Sequence, residues 1–299
     1  MSLWPNYLPH ERFIAPARKK SALWRFAVGM LVAVAAYVAL NQTFFSAVYG
    51  VYRARSDMPY VDLLNGETPL SMFVLLFSFV FMSAGVGISV RLLHGRSLLS
   101  VLGPLRLLRT DFVRVTIMMV LLLLALAILP PWDMGAPYVH NTALGLWLLM
   151  LPLSLLAVLV QVSAEEIVFR GYIQQQLAAR FKSPIVWMIL PSALFSLGHY
   201  LPQEAGENAL MIAIWAGVFG VLMADLTARA GSLGPAIAVH LWNNVSAILI
   251  VGLPDNLGGL ALFHAPFTMQ DAAVMKEWLP VDFALMLTSW LAARLAIRR

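Results

Sequence analysis

Eight apolar runs, most of them close to the twenty residues a helix needs to cross a hydrocarbon core of ~30 Å, constrain this chain more than any other feature. They fall at roughly 26–51, 70–90, 112–130, 144–164, 184–200, 209–227, 235–252 and 281–297. Lipid offers backbone N–H and C=O groups no partner, so runs of this length must be helices that satisfy their own hydrogen bonds. The expected fold class is therefore all-α: a polytopic membrane protein of eight transmembrane helices, with short amphipathic helices at the interface.

Composition agrees, since 61% of the 299 residues are hydrophobic and 12% are charged, about half the charged share of a soluble domain. Charge placement gives an independent test, because Lys and Arg gather in short cytoplasmic loops. With the N-terminus inside, only Arg53, Arg55 and Lys276 of the 20 basic residues fall in outer segments. Both termini are then expected in the cytoplasm. The net charge of +5 reflects this bias together with attraction to anionic membrane lipids, and implies no nucleic-acid partner. The absence of cysteine excludes disulfides, thiolate metal sites and a cysteine nucleophile.

Residues 1–25 mix proline, aromatic and basic side chains without helical periodicity, which suggests an extended cytoplasmic arm or an interfacial anchor. Residues 26–299 read as a single membrane domain. Segments 91–114 and 171–183 look like amphipathic pieces lying in the inner interface, with Gln174, Gln175 and Gln176 as a wet face. The longest outer connection, 253–280, is rich in turn-forming residues.

Ionisable groups inside a membrane bundle cost ~2.5–3.5 kcal/mol each on insertion and so mark function. In this chain they are concentrated in three places. QVSAEEIVFRGY ends the fourth run with Glu165, Glu166 and Arg170; FSLGHY places His199 in the fifth; HLWNN places His240, Asn243 and Asn244 in the seventh. Residues four apart share a helix face, so Glu166 can pair with Arg170, His240 stands one turn from Asn244, and Phe195 one turn from His199. Glu165, rotated about 100° from its neighbour, can point into the bundle. A carboxylate able to take a proton from water, an imidazole to assist it, and an imidazole and an amide to donate to a developing oxyanion make an inventory for hydrolysing an amide bond. Glu165, His199 and His240 could also hold a divalent metal, but neither HExxH nor its inverse occurs, and no cofactor is required.

EEIVFR fits EExxxR, FSLGH fits FxxxH and HLWNN fits HxxxN, and in this order the sequence resembles the CAAX prenyl protease type II and bacteriocin-processing (CPBP, or Abi) family of intramembrane endopeptidases. The three signatures span residues 165 to 244, within a core at about 144–252. The resemblance implies a peptide hydrolase of a bacterial inner membrane acting on a membrane-presented peptide or protein. It implies that Glu165 activates water with His199, that His240 and Asn244 stabilise the oxyanion, and that Glu166 and Arg170 orient the site. Nothing in the sequence selects a CAAX tail.

Other polar residues have plainer readings. His10, His94, His140 and His264 are expected to be solvated in loops or interfaces, Asp225 to pair with Arg229 four residues on, and Gly85, Gly87, Gly217 and Gly220 to permit close helix contact. At 1.5 Å per residue, the spans as drawn put Glu165 at the inner end of its helix and His199 about 22 Å along the next. The two meet only if the fourth helix runs on through Glu166 to about residue 176. Two alternatives stand beside the enzyme: a protease-like scaffold, assembly factor or subunit of a larger membrane complex, and a proton-coupled transporter, which the lack of paired broken helices disfavours.

Overall fold

The computed structural model describes residues 7–53, 60–129 and 137–298; Arg55, counted among the outer cations, and Arg299 lie outside them. In chain order the helices are α1 (Leu8–Arg18), α2 (Leu23–Arg53), α3 (Pro69–Ser78), α4 (Val80–His94), α5 (Leu105–Ile128), α6 (Leu144–Glu166), α7 (Gln175–Arg180), α8 (Leu190–Gly198), α9 (Pro202–Ala205), α10 (Ala209–Ala230), α11 (Gly234–Asn244) and α12 (Ala272–Ile297). Three π-helical stretches join or extend them: Ile167–Gln174 makes α6 and α7 continuous, Ile185–Ile189 leads into α8, and Val245–Ile250 prolongs α11. Local chemistry sets several of the ends. Thr68 and Ser71 cap the start of α3 reciprocally, with Pro69 in the first turn where its missing N–H is harmless. Gly231 closes α10 in the left-handed region at φ 71°, where a side chain would also strike the Pro9 carbonyl.

Six helical segments are long and apolar enough to cross a membrane: Leu23–Arg53, Pro69–His94, Leu105–Ile128, Leu144–Arg180, Pro202–Ala230 and Ala272–Ile297. Most carry large apolar side chains on their outer surface, Leu31 and Leu149 among the most exposed, as hydrocarbon-facing helices require. The other two expected spans form the shorter apolar helices Ile185–Gly198 and Gly234–Ile250. For Gly234–Ile250 the shortness has a reason in packing. Every residue from Gly234 to Leu241 is buried, because α11 lies among α5, α6, α10 and α12. A helix walled in by protein has no bilayer thickness to match. The result is an all-α polytopic membrane protein, with three two-residue strands (β1 Val139–His140, β2 Val251–Gly252, β3 Phe263–His264) forming a small sheet in the order β1-β3-β2.

Four local expectations are corrected. Residues 8–18 form a helix, not an extended arm, and bury His10, Phe13, Ile14 and Ala17 against α7 and α10; the alternation of prolines and charges hid a face of only four residues. Residues 105–114 are the first turns of α5, so only the short 3-10 turn Leu98–Val101 remains of the interfacial piece expected there. Residues 171–180 continue the α6 helix. Gln174, Gln175 and Gln176 are buried rather than wet: Gln174 donates to the Ala224 carbonyl, and Gln175 to those of Phe13 and Ser100. His10 and His94 are likewise buried. His10 stacks on Phe13 and Trp187. His94 donates from Nδ1 to the Lys20 carbonyl and accepts from Tyr172 at Nε2.

The expected helix contacts at glycine are present. A Cβ on Gly85 would come within 2.4 Å of the Ala33 carbonyl oxygen on α2, and one on Gly220 within 2.8 Å of the Ser192 Cβ on α8. The Asp225–Arg229 pair also forms, at 2.8 Å, and Asp225 further accepts from Tyr7 and Trp290, tying the start of α1 to α10 and α12.

Candidate functional site

The continuous helix Leu144–Arg180 resolves the depth problem. The chain reverses at residues 181–184 and returns as Ile185–Gly198, so Glu165 on the outgoing arm and His199 at the end of the incoming arm lie at similar distances, on the order of 20 Å, from the same turn. The long apolar stretch before Glu165 and the helical run after it place the acid in mid-span.

Glu166 is fully buried, and its Oε1 accepts two hydrogen bonds, from Arg170 Nη1 at 3.0 Å and from His240 Nδ1 at 2.8 Å. Arg170, 1% exposed, also donates from Nη2 to the Gly220 carbonyl at 3.2 Å. Glu166 therefore joins α6 to α11, and Arg170 joins the same stretch to α10. A buried charge is tolerable only when paired and hydrogen-bonded, and Glu166 Oε1 supplies that partner to both Arg170 and His240, while its Oε2 is buried without a hydrogen-bond partner among the described residues. Glu165, whose side chain is 12% exposed, turns its Oε2 to His240 Nε2 at 3.4 Å. The two ring nitrogens of His240 thus face two carboxylates. Protonated, His240 donates to both; neutral, it donates to Glu166 alone and presents a lone pair beside Glu165.

His199 makes no hydrogen bond to Glu165, His240 or Asn244 among the described residues. Its Nδ1 lies 2.8 Å from the Phe195 carbonyl, which can only accept, so Nδ1 carries a proton and the neutral ring presents its lone pair at Nε2. The Phe195 ring packs near both imidazoles, with centroids 4.3 Å from His199 and 6.1 Å from His240. The Arg170 guanidinium lies 5.0 Å from its centre, a cation–π distance. An aromatic one turn before His199 thereby touches three of the six candidate groups.

Asn244 stands one turn beyond His240 on α11 and donates to Gln161 Oε1 at 2.9 Å. Gln161 is itself one turn before Glu165 on α6, so α6 and α11 are laced by two polar contacts a turn apart. Sequence reasoning missed Gln161 and the Gly220 carbonyl. Four-residue spacing back from Glu165 could have found Gln161; a backbone acceptor leaves no signal in residue types.

The structure thus brings Glu165, Glu166, Arg170 and His240 into direct contact, sets Asn244 a turn away through Gln161, and packs His199 on Phe195. Among the described residues no three His, Asp or Glu side chains are grouped to hold a metal ion, so the three-ligand set of Glu165, His199 and His240 is not assembled.

Residues 145–246 match the family described as Rce1-like, type II CAAX prenyl endopeptidase. The matched stretch contains all six candidate residues, and the match bears out the resemblance carried by the three signatures. At the level of the family it supports a CAAX-type intramembrane protease. The chain is also similar to an uncharacterized protein, YyaK, of Bacillus subtilis (strain 168), at 25% identity over 258 residues, which covers 83% of this chain and 84% of that protein. No solved structure matches.

Proposed function

Taking the Rce1-like match over residues 145–246 as premise, we propose that this chain is a glutamate-type intramembrane endopeptidase that hydrolyses a peptide bond of a membrane-presented peptide or protein. The observation that carries the reading is the division of labour between two adjacent acids. Glu166 is fully enclosed and spent on Arg170 and His240, whereas Glu165 is partly exposed and held by one long contact.

In this reading Glu165 takes a proton from water as its oxygen attacks the scissile carbonyl, and the lone pair on His199 Nε2 helps to hold that water. The carbonyl π electrons move onto oxygen, where His240, in the form protonated on both nitrogens, donates from Nε2 and Asn244 donates from Nδ2 to the oxyanion. Collapse of the intermediate breaks the C–N bond, and the proton held by Glu165 passes to the leaving nitrogen. Glu166 fixes His240 through Nδ1, and Arg170 holds Glu166 in place. We further place the chain in a bacterial inner membrane with both termini in the cytoplasm, in contact with membrane lipids.

The test is cleavage by proteoliposomes of purified protein, using a panel of peptides with one apolar membrane segment and a farnesylated CAAX peptide, with products read by mass spectrometry. Glu165→Gln is expected to lower kcat/KM about a thousandfold, in the range of a lost general base. Undiminished product from that variant would overturn the assignment. The engagement of both His240 nitrogens by carboxylates favours a second reading, a protease-like scaffold or subunit of a membrane complex. In that case Glu165→Gln leaves the cellular role intact.

A further inference from the structure

Away from the site, three spans end together. The start of α2 and the end of α7 line a cleft of about 820 Å³ that includes Arg18, Lys19, Lys20, Arg25, Arg180 and Trp24, and the end of α4 is bonded to the same 20–25 segment. Long apolar helices stop at the membrane boundary, so a place where three of them stop lies at headgroup level. Leu23 and Trp24 are exposed beside it, and tryptophan concentrates at that depth.

Most of the charge of this cleft is not neutralised by carboxylates of the described residues. Glu11 pairs with Arg18 at the rim. Lys19, Lys20 and Arg180 have no carboxylate within ion-pair distance among the described residues. The frame is also fixed before any ligand arrives. His94 Nδ1 donates to the Lys20 carbonyl at 3.1 Å, and Arg25 Nη1 donates to the Leu93 carbonyl at 2.8 Å with its guanidinium stacked over Trp24. The Lys20 ammonium lies beside Gly95, the C-cap of α4, where a Cβ would stand 2.9 Å from it.

We propose that this cleft binds a phosphodiester anion, the phosphate of an anionic phospholipid headgroup, with Lys19, Lys20 and Arg180 as its counter-charges and Leu23 and Trp24 against its acyl chains. Guanidinium and ammonium groups suit phosphate oxygens, and the volume is in the range of small-molecule sites. The inference is independent of the hydrolase reading.

The experiment uses the full chain in detergent and titrates it with short-chain phosphatidylglycerol, phosphatidylcholine of equal chain length, and inorganic phosphate, following Trp fluorescence and lipid retention in native mass spectrometry. Phosphatidylglycerol is expected to bind at least tenfold more tightly than phosphatidylcholine. A basic group near an anionic surface is worth about a fivefold factor, so the combined Lys19→Ala, Lys20→Ala, Arg180→Ala variant is expected to lose on the order of a hundredfold. The combined Lys19→Arg, Lys20→Arg, Arg180→Lys variant keeps the charge and is expected to keep binding. Equal affinity for the two lipids, binding of phosphatidylglycerol unchanged by the alanine variant, or inorganic phosphate binding as tightly as phosphatidylglycerol would each overturn the proposal.

Discussion

Through one oxygen, Glu166 satisfies Arg170 and His240 at once, and its removal strands a buried guanidinium. Breaking a buried pair from one side costs about 3–5 kcal/mol. Glu166→Gln is therefore expected to lower thermal stability by about that amount, whereas Glu165→Gln, at a partly exposed position with one 3.4 Å contact, is expected to change it far less. Thermal unfolding of the two purified variants in detergent checks the contrast, and equal losses would refute the separation of a positioning acid from a reacting one.

At the scale of elements, two contacts lend themselves to test. Gly220 lets α10 approach α8, and a methyl there would stand 2.8 Å from the Ser192 Cβ and 3.0 Å from the Ser192 Cα. Gly220→Ala is expected to cost about 1–3 kcal/mol by overpacking and to depress activity through His199, which closes α8; unfolding and cleavage assays on the same preparation read both effects. The second contact is the docking of α1. Burial, with the Arg18 charge adding to it, holds the His10 imidazole down at about 3 from an ordinary 6.5. The folded state therefore refuses a proton that the undocked state accepts, so the stability of docking falls as pH drops below 6.5. Between pH 7 and 5 the loss is about 2 kcal/mol. Hydrogen exchange of the α1 amides is expected to lose protection across that interval, and His10→Gln to make it pH-independent. The chain announced its long helices readily, since apolar run length is read directly: the run at 209–227 became α10 at Ala209–Ala230. Glu165, Glu166, Arg170 and His240 were legible for the same reason, as charges where none is tolerated. The buried glutamines and α1 were not. An amide is polar on either side of the interface, and only tertiary packing tells Gln175 that its partners are the Phe13 and Ser100 carbonyls. His199 was found, but the contacts of the Phe195 ring with His240 and Arg170 were not, because spacing within one helix says nothing of its neighbours.

For the whole molecule the proposed orientation is open to a clean measurement, since the chain has no cysteine and every introduced thiol is unique. Gln270→Cys is expected to react with a membrane-impermeant maleimide in intact spheroplasts, and Ala15→Cys only after permeabilisation; the reverse pattern would invert the topology. The π-helical stretches bear on how such chains are compared. Ile167–Gln174 follows Glu166 directly and Val245–Ile250 follows Asn244, and a π turn holds one residue more than an α turn over the same arc. The surplus residue behaves as an insertion absorbed without breaking the rod. Against a chain whose corresponding helices are regular α-helices, an alignment that forbids gaps there slips by one beyond Glu166 and beyond Asn244, and pairs side chains that point in different directions.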